Sequence, residues 1–154
     1  MGASYEKQKT NSNKFQLKGA RIWLPLDVLQ GQAYASVSPT AKGLLLDLSA
    51  QLRANHGEII NNGDLTTALA VLSKRGWKND KTIRNASKQL ENANLIVKTR
   101  QGHLPNKANL YAVTWLPLNE SDKLDITARG FGFNSYKLKE RPPTLKIVMG
   151  KNYP

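Results

Sequence analysis

Between residues 78 and 88 the chain reads "KNDKTIRNASK". Lys78, Lys81, Arg84 and Lys88 are cations that attract phosphate, and an arginine can also bond to a guanine edge through two parallel hydrogen bonds. Asn79, Thr82 and Asn85 are interleaved with them; Thr82 and Asn85 can bond to adenine or pack on a thymine methyl. Arg100, His103 and Lys107 form a second basic group further on. Charge alone suits any polyanion. Short polar side chains set among charges suit the reading of a base sequence, with the lysines acting as point charges on the backbone.

Catalytic chemistry finds little to work with. His56 and His103 are the sole imidazoles, each beside a glycine, with no nucleophile or ligand partner near in sequence. The absence of cysteine rules out a disulfide framework and a thiolate zinc site. Asp27, Asp47, Glu58 and Asp64 could meet as a metal-dependent nuclease cluster, but Asp47 reads as helix surface and Asp64 as a turn or capping residue. There is no phosphate-cradling glycine loop. We expect no enzyme, no cofactor and no resident metal.

The 154 residues match one domain of ordinary size, and 40% hydrophobic content supports one modest core. The net charge of +12 favours nucleic acid or an anionic surface as partner, and the distribution sharpens this. Residues 74–107 hold nine Lys and Arg against two Asp and Glu, whereas residues 22–73 hold two against four. A solvated face would scatter and mix its charges. No apolar run approaches the length of a membrane span, and "MGASYEKQKTNSNKFQLKGAR" lacks the apolar middle of a signal peptide, so we expect a cytoplasmic protein with no membrane partner.

The elements that must position the strip follow from local signals. "ARIWLPLDVL" reads as a short strand or one helical turn, interrupted by Pro25. "SPTAKGLLLDLSAQLRANHG" begins a helix with Ser38 as N-cap and Pro39 at its first position, carries Ala41, Leu44, Leu45, Leu48 and Leu52 on one face, and is expected to end at Gly57. After an Asn62-Gly63 turn, a second helix is predicted from about Thr66 to Arg75, with Leu65, Leu69 and Leu72 inward and a left-handed Gly76 ending it. A third helix starts at Asn79 or Asp80 as cap. Ile83, Ala86 and Leu90 face its core side, which turns Lys81, Thr82, Arg84, Asn85 and Lys88 outward. "LIVKTRQ" and "NLYAVTWL" are strand-like, with Gly102 and Pro105 marking the loop of a hairpin. Trp23, Trp77 and Trp115 read as core or core-edge residues.

Helix, helix, short turn, helix, hairpin is the order of a winged helix-turn-helix, an α+β fold whose third helix enters the major groove of duplex DNA and whose hairpin is the wing. The stretch "LTTALAVLSKRGWKNDKTIRNASKQLENANLIVKTRQG" with "NLYAVTWLPLNE" resembles a group of small bacterial winged-helix proteins of plasmids, phages and other mobile elements, which share the "RGW" turn, the "LI" strand start, the "TRQG" approach to the wing and an "LYAxTW" return strand. The resemblance spans roughly residues 22 to 120 and implies DNA binding. Where that group often has "AAG" before the strand, this chain has "NAN" at 92–94, and Asn94 tolerates the left-handed conformation.

We therefore expect a basic arm over 1–21, a DNA-binding domain over 22–118 and a C-terminal extension over 119–154 that docks in cis or serves dimerisation. The expected function is sequence-specific binding of double-stranded DNA, as a transcriptional regulator of a mobile element and, following many such proteins, as a homodimer. Two alternatives stay open: a plasmid or phage replication or maintenance factor on origin repeats, and a protein-interaction module that uses this fold without DNA. "RGFGFNSY" at 129–136 matches an aromatic RNA-stacking pattern except at Asn134, but too little chain follows for the helix and strand such a domain needs. Phe131, Phe133 and Tyr136 are instead expected to anchor the C-terminal segment.

Overall fold

The computed structural model describes residues 19–22 and 24–140. Residues 1–18 of the arm expected over 1–21, Trp23 and the last part of the C-terminal extension, 141–154, lie outside them. The described chain is mixed α and β, with five α-helices and two small antiparallel sheets. Short helical turns α1 (Leu26–Leu29) and α2 (Gln32–Ala35) lead into α3 (Pro39–Ser49). A two-residue hairpin, β1 (Ala54–Asn55) with β2 (Glu58–Ile59), is followed by β3 (Leu65–Thr66) and α4 (Leu69–Leu72), which tightens into a 3₁₀ turn over Ser73–Arg75. Then come α5 (Asp80–Asn92), β4 (Ile96–Arg100), β5 (Leu110–Val113) and a closing 3₁₀ turn, Ser135–Glu140.

The α3 start is as expected: the Ser38 hydroxyl accepts from the Ala41 N–H and Pro39 needs no partner for its missing donor. Its end is not. The helix stops at Ser49 rather than at Gly57, because the Asn61 side chain takes the backbone groups that would continue it, accepting from Arg53 N–H and donating to Gln51 C=O. Residues 54–59 then form the β1–β2 hairpin, with His56 and Gly57 both at positive φ, the geometry of a tight two-residue turn.

The second helix also begins later than expected. Thr66 lies in β3, paired with Leu110 on one side, while on the other the Gln51 amide imitates a neighbouring strand by accepting from Thr66 N–H and donating to Thr66 C=O. β5 is the centre of the larger sheet, in the order β3, β5, β4, and all four of its residues are buried. β4 bulges between Lys98 and Arg100, where the buried Thr99 hydroxyl donates to Gly63 C=O.

Leu44, Leu45 and Leu48 of α3, Leu65 of β3, Leu72 of α4, Ile83 and Leu90 of α5, and Leu95, Ile96 and Val113 form one core. Each such side chain contributes about 1.5–3 kcal/mol by leaving water. Buried among them is Asn62, whose Oδ1 accepts from Val113 N–H and whose Nδ2 is shared by the carbonyls of Val113, Leu116 and Pro117. The described part of the C-terminal extension lies against this body in cis. Asp125 N–H donates to Thr99 C=O and Asn134 N–H to Thr114 C=O, with Phe131 and Tyr136 buried. Phe133, expected as a third anchor, is 53% exposed. Residues 129–136 form turns and no strand, so the aromatic pattern there has no sheet on which to stack bases.

Candidate nucleic-acid interface

The position of α5 is set from both ends by side chains that contact α3 or the turn before it. Gly76 is left-handed, with φ 95°, and ends the 3₁₀ turn so that the chain reverses into Trp77 and Lys78. Asp47 on α3 holds this reversal: one carboxylate oxygen pairs with Arg75 Nε at 2.9 Å and the other accepts from the Trp77 indole at 2.7 Å. The expectation that Asp47 is plain helix surface is corrected here, since its side chain is mostly buried between the two elements. The Arg-Gly-Trp run thus has a structural meaning, in which each residue fixes the turn. From the other side, Gln89 of α5 accepts the Ser38 N–H at the start of α3.

Asn79 is the N-cap of α5, and its Oδ1 accepts from Lys81 and Thr82 N–H, which leaves its amide group for an external partner. At the other end Asn94 takes the left-handed conformation, and Leu95 N–H returns to Leu90 C=O. The thirteen helical residues span about 20 Å. Ile83, Ala86, Ser87 and Leu90 are buried, while Lys81, Thr82, Arg84, Asn85 and Lys88 are all exposed, as is Lys78 ahead of the helix. Arg84 pairs with Asp80 one turn back, a solvent-exposed ion pair worth about 0.3–0.5 kcal/mol that a stronger anion can displace. Beside the helix start, Thr40, Arg75, Trp77, Lys78 and Thr82 border an open cleft of about 390 Å³, so the cationic face extends past the first turn.

The hairpin residues divide. His103 and Lys107 are exposed and close the loop through an antiparallel bridge, with Lys107 N–H donating to His103 C=O. Arg100 is half-buried, and its guanidinium donates to Ala108 C=O at 2.9 Å across the hairpin, so part of its bonding capacity braces the loop. Under the far half of α5, burial pushes the Tyr111 phenol above its ordinary 10.0, the Glu91 carboxylate adds to the rise, and hydrogen bonds with Asn109, Thr67 and Ser87 oppose it.

Sequence reasoning missed Asp47, Gln89 and Asn62 as the residues that orient this surface. Their partners lie 28 to 55 residues away, and no local pattern marks them. Of the acidic residues considered for a nuclease, Asp47 is engaged by Arg75 and Trp77, and Asp64 pairs with Lys123 at 3.2 Å. Among the described residues no group of three or more His, Asp or Glu could hold a metal ion, and no helix is long and apolar enough to cross a membrane. No protein-family model matches the chain, and comparison with curated proteins and with solved structures gives no match.

Proposed function

We propose that the chain is a sequence-specific double-stranded DNA-binding protein of winged-helix type, with α5 as the recognition helix in the major groove and the β4–β5 hairpin as the wing on the adjacent backbone. The observation that carries this reading is the outward face of α5. Five consecutive outward positions, Lys81, Thr82, Arg84, Asn85 and Lys88, hold both phosphate-seeking cations and base-reading polar groups, on a helix whose other face is fixed in the core. The order α3, β3, α4, α5, β4, β5 and the sheet order β3, β5, β4 are compatible with that fold.

A major groove about 12 Å wide admits one α-helix, and a helix anchored at Gln89 and through the Asp47 turn can enter it without ordering itself first. Lys81 and Lys88 flank Arg84 and Asn85 along the axis, so phosphates on either wall can be met while the central pair reaches base edges. Occupying a short operator in this way is the action of a transcriptional regulator, and a palindromic operator would require a symmetric pair of chains.

Selection of bound sequences from random duplex DNA, run at stated salt, tests the proposal. It should enrich one short motif, and affinity should fall with salt at a log–log slope of about −0.9 per neutralised phosphate. Retention on heparin with no shift of any duplex would overturn the reading in favour of a protein-interaction module.

A further inference from the structure

The hairpin tip carries an unexpected side chain. Leu104 is 93% exposed, whereas the other exposed large hydrophobic residues among those described lie between 37% and 66%. Single apolar residues on a surface are ordinary. Two features set this one apart.

The first is the bracing beneath it. Lys107 N–H donates to His103 C=O at 3.0 Å, Gly102 N–H to the Asn109 side chain at 2.7 Å, and the Arg100 guanidinium to Ala108 C=O at 2.9 Å. Gly102 is pressed so closely to the returning strand that a Cβ there would sit 2.4 Å from Lys107 O. The loop is therefore tied across at three levels, and Leu104 with Pro105 projects from a preformed end. The second feature is charge. His103 and Lys107 flank the tip, Lys98 and Arg100 lie on the strand below, and the Asp125 carboxylate at the hairpin base is occupied by Gln101 N–H.

Resting on the DNA-binding reading above, we infer that Leu104 and Pro105 form an apolar wedge that enters the minor groove beside the α5 site, unstacks one base step and bends the duplex, while His103 and Lys107 hold the phosphates on either side. The dimensions allow it. Paired strands lie about 4.8 Å apart axis to axis, and a minor groove is about 6 Å wide and 7.5 Å deep, so the two-stranded ribbon stays outside while the side chains at its tip enter and need the groove to widen. Insertion of leucine or proline between base steps produces that widening, with a kink toward the major groove. A tip meant only to follow the backbone would gain nothing from an exposed leucine, since a phosphate offers it no apolar surface.

The test uses the full chain and a short duplex carrying the sequence enriched from random DNA, labelled at both ends for energy transfer and with 2-aminopurine placed at successive steps. Wild-type protein should draw the ends together and raise 2-aminopurine fluorescence at one step. Leu104→Ala should bind the same duplex with affinity lowered less than about tenfold, because lost burial is partly offset by unstacking no longer required, yet neither bend nor unstack it. Leu104→Met should restore both signals. Binding by the wild type without bending or unstacking, or a normal bend from Leu104→Ala, overturns the wedge and leaves the DNA-binding reading intact. Absence of binding to any duplex overturns both. A lower sedimentation mass of free Leu104→Ala with the bend retained would make the tip a contact between chains and also overturn the wedge.

Discussion

Two regions of this molecule are rich in the same residue types and use them in opposite ways. Around Asn62, the side chains of Gln51, Asn61, Thr99 and Asn119 are spent on backbone groups: Asn119 donates to Ile59 C=O and accepts from Asn62 N–H, and Thr99 donates to Gly63 C=O. On the outer face of α5, Thr82, Asn85 and Lys88 are exposed and the Arg84 pair with Asp80 is weakly held. An asparagine or threonine in a sequence does not announce which use it serves. Satisfaction of its hydrogen bonds inside the fold does, because a buried polar group without partners is costly and an exposed one is free to meet a ligand.

The comparison can be broken most severely at Asn62. Asn62→Ala removes the acceptor for Val113 N–H and the donor shared by three carbonyls, so we expect a loss of about 3–5 kcal/mol in denaturant unfolding. A change under about 1 kcal/mol would show that the polar junction is not what holds β5 to the loop before β3. A smaller effect is expected at the link between the two regions. Asp47→Ala leaves the half-buried Trp77 indole without its acceptor and frees Arg75, which should cost about 1–2 kcal/mol and weaken binding to every duplex alike by loosening the turn that presents α5. Altered sequence preference in Asp47→Ala would instead mean that the turn itself contacts bases.

The smallest effect concerns pH. The Tyr111 phenol is held above 10.0 in the folded chain, so the unfolded state loses its proton first as pH rises. Its neutral form contributes stability that is fully present below pH 10 and is lost as pH climbs through the raised folded value. Tyr111→Phe should therefore flatten the alkaline fall in stability; an unchanged alkaline limb would assign that fall to other groups.

What was legible in the sequence is what is decided locally. The start of α3 follows from Ser38 and Pro39, the limits of α5 from Asn79 and Asn94, the inward face of α5 from Ile83, Ala86 and Leu90, and the hairpin from its β-rich halves. The end of α3 was not legible, because Gln51 and Arg53 suit a helix and yield only to Asn61, which reaches back from eight and ten residues on. Thr66 likewise looks helical until Gln51 and Leu110 take its backbone on two sides. The candidate interface followed from periodicity alone, whereas its orientation depends on Asp47 and Gln89, whose partners no spacing rule connects. The partial inward turn of Arg100 was hidden for the same reason: its acceptor belongs to the opposite strand end of the hairpin.

The central claim is that α5 reads bases while the cations of the hairpin hold the adjacent backbone. Side-by-side affinities of Arg84→Ala, Asn85→Ala and Lys107→Ala for the enriched site and for random duplex test it directly. The two helix variants should lose about 1–3 kcal/mol on the enriched site and little on random DNA, Lys107→Ala should weaken both by similar factors, and none should shift unfolding by more than about 0.5 kcal/mol, since all three side chains are exposed. Full retention of discrimination by folded Arg84→Ala and Asn85→Ala would contradict the account.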